Sequence, residues 1–370
     1  MIRLDRVSKV FAGASAPAVD HVSMEIPAGE ICVLLGPSGC GKTTTMKMVN
    51  RLIEPTSGEI YIDGKSTADQ DPVQLRRTLG YVIQQIGLFP NKTIGENICI
   101  VPDILGWNRM RSRKRAAELL EMVALDPAIF IDRYPKELSG GQQQRIGVLR
   151  AIAADPPVLL MDEPFGAIDP INREIIQDEF LKMQATLKKT IMFVSHDIDE
   201  AVKMADRIAI FREGRLVQYD SPDNILAHPA NAFVSDFFGG DRTLKRLQLL
   251  RVPDAMIHDP PTVTADDPLD RAAALMAEHG HTSIVMVGPR GRPRGFVDLK
   301  TARDGRGKVG ENHESLATTI KLSENLRTAV STMFRHDVTW LACVDEDGVL
   351  KGYVTLRGIT HLLAGAYRDG

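Results

Sequence analysis

The sequence predicts an α/β domain built on a parallel sheet, followed by a smaller α+β module that is present in two copies. Three observations lead to this prediction. Short β-type runs alternate with helical stretches up to about residue 235, which is typical of a parallel sheet with helices on its faces. The pair Gly239-Gly240 then interrupts the pattern. Beyond this pair, the chain matches itself at a fixed offset.

The parallel sheet is predicted from five apolar runs, each of which we expect to form a strand. In chain order they are GEICVLLG, TLGYVIQ, PPVLLMDE, TIMFVSHD and DRIAIFREG. A helix is expected to begin near Lys42, directly after the first run. We expect a first domain over residues 1–240, a basic connector over 241–253, and two modules over 254–310 and 311–366.

The duplication is indicated by matching residues at an offset of 57, without gaps. Each copy is predicted to begin with a short strand, continue with an amphipathic helix and end with two strands joined by a glycine-containing turn. Helix periodicity would align the leucines, alanines and methionines by itself, but it does not explain the glycines that follow at the same offset. The aligned pairs include Leu269 with Leu326, Ala272 with Ala329, Met276 with Met333, Gly291 with Gly348, and Gly295 with Gly352.

Composition disfavours several classes of function. The net charge is −3, and residues 251–370 carry 15 Lys+Arg against 16 Asp+Glu. Neither part is basic, so we expect no nucleic-acid partner. The apolar runs are shorter than the roughly 20 residues that a membrane span needs, and the N-terminus lacks the apolar core of a signal peptide. Four scattered cysteines without a CxxC pair predict free thiols in a reducing compartment.

A phosphate-binding loop is predicted between the first strand and the first helix. The segment from Gly36 to Thr43 matches G-x-x-x-x-G-K-[ST], whose glycines let backbone N–H groups approach phosphate oxygens at a helix N-terminus. Lys42 would then reach the β- and γ-phosphates, and the Thr43 hydroxyl would bind Mg²⁺. The alternative is a glycine-rich turn, which the flanking strand and helix disfavour. The expected nucleotide-binding residues are Gly36, Ser38, Gly39, Gly41, Lys42, Thr43 and Thr44.

Two carboxylates, Asp162 and Glu163, lie at the end of the predicted strand VLLMD. Asp162 would hold Mg²⁺, directly or through water. Glu163 lies one residue further on, where it would polarise an attacking water as a general base. Acidic residues after a strand are often only solvated, but the preceding phosphate loop favours the catalytic interpretation.

The segment Leu-Ser-Gly-Gly-Gln at 138–142 precedes a second helical stretch, QQQRIGVLRAIAA. The Ser139 hydroxyl and the amides of Gly140 and Gly141 at a helix start would form a second anion site. The alternative is an ordinary N-cap followed by flexible glycines.

In this order, the motifs resemble those of the ATP-binding subunits of ABC transporters, over about residues 1–235. The resemblance implies a P-loop NTPase fold with a mixed sheet and a helical subdomain, and it implies ATP and Mg²⁺ as cofactors. His196 and Gln84 each follow a predicted strand and are weak signals in isolation. In the family pattern, the catalytic residues are Glu163, His196 and Gln84, the metal ligands are Thr43, Gln84 and Asp162, and the nucleotide is further bound by Phe11, Ser139, Gly140, Gly141, Gln142 and Asp169.

The same resemblance implies partners. Each ATP would lie between the phosphate loop of one copy and Ser139-Gly140-Gly141 of a second copy, in a head-to-tail dimer. The loop after Gln84, IGLFPNKTIGENI, would receive the membrane permease subunits. A substrate-binding protein would act indirectly through that permease. The chain is therefore expected to be peripheral, at the cytoplasmic face of the membrane.

The duplicated modules resemble a tandem CBS pair in their strand order and their G-[FY]-V-x-L endings. An ABC ATPase with such a pair is the arrangement of importers for glycine betaine, proline, carnitine and choline, so the implied solute is a quaternary-amine osmoprotectant. Two alternatives stay open. One is an importer ATPase for an unrelated small solute. The other is a non-transport ABC ATPase acting on nucleic acid or ribosomes, which the single cassette and the lack of a basic surface disfavour.

The CBS pair is expected to regulate rather than catalyse. In adenosine-binding CBS modules an aspartate holds the ribose, but Thr301 and Gly358 stand at the two matching positions, which disfavours a nucleotide there. The segment 290–308 carries seven Lys and Arg residues and is either a solvated loop or a contact for anionic lipid. A regulatory nucleotide and anionic lipid are therefore the two candidate partners of the pair.

Overall fold

The computed structural model describes residues 1–83, 87–166 and 168–365, except for the side chains of residues 170–172. The chain forms two compact units. The N-terminal unit comprises Met1–Ile225 and Pro229–Phe237, and the C-terminal unit comprises Leu226–His228 and Phe238–Gly370. The finer limits of the connector and of the two modules stay predictions.

Strands and helices alternate through the N-terminal unit. The strands are β1 (Ile2–Lys9), β2 (Val19–Ile26), β3 (Ile31–Leu35), β4 (Ser57–Ile62), β5 (Lys65–Ser66), β6 (Leu79–Val82), β7 (Val158–Asp162), β8 (Thr190–Val194), β9 (Arg207–Arg212) and β10 (Arg215–Asp220). The helices up to residue 238 are α1 (Lys42–Val49), α2 (Pro72–Thr78), α3 (Ile94–Ile104), α4 (Arg109–Met122), α5 (Pro127–Phe130), α6 (Gly140–Ile152), α7 (Pro170–Leu187), α8 (Ile198–Met204), α9 (Pro222–Ala227) and α10 (Ala232–Phe238).

A six-stranded mixed sheet carries the strands predicted from the sequence. Its order is β10-β9-β3-β8-β7-β6, with β10 antiparallel to β9 and the other neighbours parallel. The five predicted strands are β3, β6, β7, β8 and β9, so this part of the fold prediction is confirmed. Every residue of β3, β7 and β8 is buried, which explains why these strands appear as unbroken apolar runs. Since β3, β8 and β7 are parallel neighbours, the loops after them meet at one edge of the sheet.

A second sheet, with the order β2-β1-β4-β5, is antiparallel and was not predicted. Its strands alternate buried and exposed residues, as in β2, where Val22, Met24 and Ile26 are buried and the residues between them are exposed. Such half-exposed strands lack the long apolar runs on which the prediction relied. The helices α3, α4, α5 and α6 pack together as a helical subdomain between β6 and β7.

The C-terminal unit contains the duplicated modules. Its helices are α11 (Arg242–Leu249), α12 (Val252–Ala255), α13 (Leu269–His279), α14 (Leu299–Asp304), α15 (Val309–Asn312), α16 (Leu326–His336) and α17 (Leu356–Gly365). Its strands are β11 (Ile257–His258), β12 (Thr262–Val263), β13 (Ser283–Val287), β14 (Pro293–Asp298), β15 (Glu314–Ser315), β16 (Thr319–Lys321), β17 (Trp340–Val344) and β18 (Leu350–Thr355).

The structure bears out the repeat in both copies. The helices α13 and α16 have 11 residues each, and they bury matching leucine, alanine and methionine side chains. The two sheets have the orders β12-β13-β14-β15 and β11-β18-β17-β16. Each copy also has a two-residue strand before the predicted leading strand, and this strand joins the sheet of the other copy, because β11 pairs with β18 and β15 pairs with β14. Among the helices that the structure describes, none has both the length and the apolar character of a membrane span.

Candidate functional site

A cavity of about 510 Å³ lies where the loops after β3, β7 and β8 meet. Its lining brings together most of the residues that the sequence predicted for phosphate binding and for catalysis. These residues are Ser38, Gly39, Gly41, Lys42, Thr43, Thr44, Glu163 and His196, and Ala18 and Cys40 complete the lining.

The backbone of the phosphate loop requires glycine at two positions. Gly36 and Gly41 have φ angles of 149° and 103°, in a region that other residues rarely adopt. A Cβ atom on Gly36 would lie 2.3 Å from the Phe211 carbonyl oxygen, and one on Gly41 would lie 2.4 Å from the Ala18 carbonyl oxygen. Larger residues would therefore displace the loop from the strand end that supports it. No side chain caps α1, so its first-turn N–H groups remain available to an anion.

Lys42 and Thr43 place a cation and a hydroxyl at the start of α1. The Lys42 Nζ atom donates hydrogen bonds to the carbonyl oxygens of Gly36 at 2.7 Å and Pro37 at 2.9 Å. The Thr43 hydroxyl donates a hydrogen bond of 3.1 Å to Oδ1 of Asp162. Burial raises the pKa of the Asp162 carboxyl, and the Thr43 hydrogen bond opposes that rise. The hydroxyl and the carboxylate predicted to hold Mg²⁺ thus lie side by side.

Glu163 and His196 form the polar wall of the cavity. Glu163 has a φ angle of 46°, and its N–H donates a hydrogen bond of 3.0 Å to the Val194 carbonyl oxygen at the end of β8. This left-handed backbone is costly for a residue other than glycine, and such strain is common at functional sites. The Glu163 Oε1 atom lies 3.4 Å from Nδ1 of His196, whose side chain is 61% exposed. A carboxylate held next to an imidazole in this way can accept a proton from a water molecule in the cavity.

Other predicted site residues do not line this cavity. Phe11 is 42% exposed, and Lys9 Nζ lies 5.4 Å from the centre of its ring. Asp169 lies at the exposed start of α7, where its carbonyl oxygen accepts the N–H of Arg173. Gln84 lies outside the described residues.

The segment Ser139–Gln142 forms the exposed N-terminus of α6. The Ser139 hydroxyl accepts the N–H of Gln142 at 3.3 Å, and the Gln142 side chain accepts the N–H of Ser139 at 2.9 Å. This capping box is the structural alternative that the sequence had left open. Nothing lies within 4 Å of the Cβ position of Gly140, so a ligand could approach the backbone closely there. Within one chain the segment does not line the cavity.

The donor atoms suit a magnesium nucleotide better than a protein-held metal ion. In the described part of the chain, no group of three or more His, Cys, Asp and Glu side chains could hold a metal ion. An ion bound by the Thr43 and Asp162 oxygens would therefore need more ligands from water or phosphate, which is the usual situation for Mg²⁺. The residues present fit Mg-ATP on these grounds.

Ala18 and Arg173 were missed by the sequence analysis. Ala18 lines the cavity with a small side chain whose position carries no sequence signal. Arg173 donates a hydrogen bond of 2.9 Å to the Ile168 carbonyl oxygen and lies 3.2 Å from an Asp197 carboxylate oxygen. Only the folded chain shows that this arginine bridges the loops after β7 and β8.

The sequence matches known families in both units. The ABC transporter family matches residues 19–166, and the CBS domain family matches residues 252–304 and 317–365. The osmoprotectant import ATP-binding protein OsmV of Salmonella typhimurium is 55% identical over 98% of this chain and 96% of its own length. The chain belongs to the ABC transporter ATP-binding proteins.

Two further matches agree with this family. The glycine betaine/carnitine/choline transport ATP-binding protein OpuCA of Bacillus subtilis is 48% identical over 98% of this chain and 96% of its own length. The dimeric ABC cassette MJ0796, in a post-hydrolysis state with ADP and Pi, is 35% identical and covers 60% of this chain and 98% of its own, with a TM-score of 0.53. The P-loop fold and the CBS pair predicted from the sequence are thus confirmed.

Proposed function

We propose that this ABC ATP-binding protein hydrolyses Mg-ATP between two copies of itself to power import of a quaternary-amine osmoprotectant through a separate permease. The observation that carries the proposal is the cavity at the strand ends. It brings a phosphate loop, a strained glutamate and a histidine together in a chain that resembles osmoprotectant import proteins over nearly its whole length.

The roles of the residues follow from their positions. The loop from Gly36 to Thr44 would bind the phosphates through its N–H groups, with Lys42 leaving the Gly36 and Pro37 carbonyl oxygens to contact the β- and γ-phosphates. Glu163 would accept a proton from the attacking water, and His196 would keep the glutamate oriented. Thr43 and Asp162 would hold Mg²⁺, with Gln84 as a further ligand. When bound, the ion would neutralise charge on the phosphate oxygens.

A second copy would complete the site. Ser139, Gly140 and Gly141 lie at the exposed start of a 13-residue helix, where N–H groups and the helix dipole favour an anion. In a head-to-tail dimer this helix start would face the γ-phosphate of the ATP that is bound by the phosphate loop of the second copy. Asp169 would lie at the interface between the two copies, and Phe11 would contact adenine. The dimeric cassette MJ0796 supports this arrangement by similarity.

The permease would dock beside residues 87–93. Phe89 in this loop is 47% exposed, yet its backbone is held by Asn97, which accepts the Phe89 N–H at 2.8 Å and donates to its carbonyl oxygen at 3.1 Å. An apolar side chain on a fixed backbone is suited to receive a helix from a partner protein. The chain would then be peripheral, at the cytoplasmic face of the membrane, and a substrate-binding protein would deliver the solute.

The C-terminal unit would regulate transport. A cavity of about 380 Å³ in this unit is lined by residues of both copies, among them His281, Trp340, Tyr353 and Arg357. The Tyr353 hydroxyl lies 3.1 Å from Nδ1 of His281, so the two copies are in contact across this cavity. A ligand bound there, a nucleotide being one candidate, would change how the copies pack. Anionic lipid at the basic segment 290–308 is the other candidate signal.

Uptake by the assembled transporter tests the proposal. The chain, its permease and its binding protein would be reconstituted in vesicles with internal ATP, and uptake of labelled glycine betaine, carnitine, choline and histidine would be compared. We expect ATP-dependent uptake of the quaternary amines, and we expect Lys42→Ala to abolish it. ATP-driven uptake of histidine alone would instead favour the importer for an unrelated solute.

A further inference from the structure

Helices α7 and α8 both begin at the candidate ATP site. α7 (Pro170–Leu187) starts directly after Asp169, and α8 (Ile198–Met204) starts two residues after His196. Polar contacts join the first half of α7 to α8. The exact placement of His196 therefore depends on where α7 lies.

Arg173 makes the contact nearest the site. Its guanidinium group donates to the Ile168 carbonyl oxygen at 2.9 Å and to Oδ2 of Asp197 at 3.2 Å. The other oxygen of Asp197 accepts the N–H groups of Asp199 and Glu200, so the same carboxylate also caps α8. A planar guanidinium group can make both contacts at once, and it thereby fixes the loop before α7 relative to the start of α8.

A second contact holds the residue on the other side of His196. The Gln177 side chain, one turn after Arg173, donates a hydrogen bond of 3.0 Å to Glu200. Glu200 in turn accepts the Ser195 hydroxyl, and the Ser195 oxygen accepts the N–H of Asp197 at 3.0 Å. The residues before and after His196 are thus both tied to α7.

Few side-chain contacts hold the His196 ring itself in place. Its side chain is 61% exposed, and in the described part of the chain its side-chain partner is the Glu163 carboxylate at 3.4 Å. The position of the ring must therefore come from its backbone, which Ser195 and Asp197 hold. A displacement of this backbone would separate the imidazole from Glu163.

We propose that Arg173 is a positioning residue for ATP hydrolysis, which holds His196 against Glu163 and couples this pair to the loop that carries Asp169. The inference rests on the proposed function of the cavity. It also gives the site a way to respond to a second copy. A copy that moves the loop at Ile168 and Asp169 would shift Arg173, then Asp197, and finally the histidine.

The structure offers a matched control for this proposal. Lys203 on α8 forms an ion pair of 2.7 Å with Asp178 on α7, further along the same pair of helices. Lys203 also donates a hydrogen bond of 3.3 Å to the Glu174 carbonyl oxygen on α7, so Lys203→Ala removes two contacts between the helices but leaves the contacts beside His196 intact. If Arg173 only held the two helices together, Arg173→Gln and Lys203→Ala would affect kcat and the unfolding temperature in the same way.

The test compares ATP hydrolysis and thermal unfolding for the full-length parent chain and four variants. The variants are Arg173→Gln, Asp197→Asn, the double variant and Lys203→Ala. Asparagine retains the helix cap at 197 but loses the charge that pairs with Arg173. We expect kcat of Arg173→Gln to fall about tenfold, because small displacements of catalytic groups are costly, with KM for ATP changing less than about twofold. The double variant should be no slower than the slower single variant, because both changes break the same contact.

Lys203→Ala should keep kcat within about twofold of the parent even where its unfolding temperature falls as much as that of Arg173→Gln. The proposal is overturned if Arg173→Gln keeps the parental kcat, or if kcat follows the unfolding temperature equally in both variants. Glu163→Gln is assayed beside these four variants as a reference for the proposed function. A parent chain that hydrolyses no ATP, or a Glu163→Gln chain that hydrolyses it as fast as the parent, would contradict the proposed function.

Discussion

The two units use an aspartate at the end of a strand in different ways. In the N-terminal unit, Asp162 ends β7, is buried, and has a pKa that burial raises. In the C-terminal unit, Asp298 ends β14, but it accepts the N–H of Thr301 at 2.6 Å and caps α14. That hydrogen bond lowers the pKa of the Asp298 carboxyl. The buried Asp162 carboxylate lowers stability but remains available for chemistry. The Asp298 carboxylate contributes to stability, and its hydrogen-bonding capacity is used by the helix cap.

The difference extends to the neighbouring residues. Glu163, next to Asp162, has a left-handed backbone and faces a cavity. Thr355, which matches Asp298 in the other copy, also serves as a cap, because its hydroxyl accepts the N–H of Gly358 at 2.9 Å. Similar positions at strand ends thus hold the proposed catalytic groups in one unit and local structural contacts in the other. Substitutions in the two units should therefore affect different measured quantities.

The largest effect is expected for Glu163→Gln in the assembled transporter. Loss of the general base should lower kcat by about 100-fold or more, while ATP binding is retained because the phosphate loop is unchanged. Steady-state hydrolysis and equilibrium binding of a fluorescent ATP analogue would measure the two properties separately. Asp298→Asn, which keeps its cap, is the control in the other unit. Substantial hydrolysis by Glu163→Gln would remove Glu163 from the role of base.

A smaller effect is expected from thiol modification at Cys40. This cysteine lines the cavity, and its Sγ atom lies 3.5 Å from Lys42 Nζ. Burial raises the pKa of Cys99 to about 11 and that of Cys343 to about 12, and it also raises the pKa of Cys32, so these thiols should react slowly. A maleimide should therefore inactivate the parent at Cys40, and Mg-ATP should protect it. Equal inactivation of Cys40→Ser would place the sensitive thiol elsewhere.

Asp298→Ala should change stability without changing hydrolysis. Removing the cap of α14 should lower the free energy of unfolding of the C-terminal unit by about 1 kcal/mol, and Asp298→Asn, which keeps an acceptor but not the charge, should restore part of it. Because the folded pKa is lowered, this stabilisation is present above the unfolded pKa of about 4 and is lost as pH falls through the folded value. The difference between parent and Asp298→Ala should therefore shrink in acid. If the difference in the free energy of unfolding between the parent and Asp298→Ala were unchanged in acid, the carboxylate charge would not be involved.

The smallest effect on turnover is expected at Arg290, Arg292 and Arg294. All three are exposed, and within the described residues none has an acidic partner, whereas Lys308 pairs with Asp266 at 2.9 Å. Replacing the three with alanine should leave basal hydrolysis unchanged but flatten the dependence of transport on salt and anionic lipid in vesicles. Activation at the same salt concentration and lipid fraction as the parent would show that the segment is ordinary solvated surface.

The sequence predicted those parts of the fold that are determined by patterns within short segments of the chain. Buried strands such as β3 and β7 appeared as apolar runs, and the duplication was visible because paired glycines repeat at one offset. The antiparallel sheet escaped prediction because its strands expose one face to water. The exchange of β11 and β15 between the two copies, like the bridge from Arg173 to Asp197, joins residues that are distant in sequence. No local pattern encodes such contacts.

In the proposed function the ATP site is shared between two copies, because Ser139 does not line the cavity of its own chain. The most direct measurement mixes a Ser139→Arg copy with a Lys42→Ala copy in one complex. Such a dimer carries both lesions in one composite site and leaves the other site intact, so it should hydrolyse more ATP than either homodimer. A mixed complex no more active than the homodimers, or a monomer that hydrolyses ATP at full rate regardless of concentration, would contradict the claim.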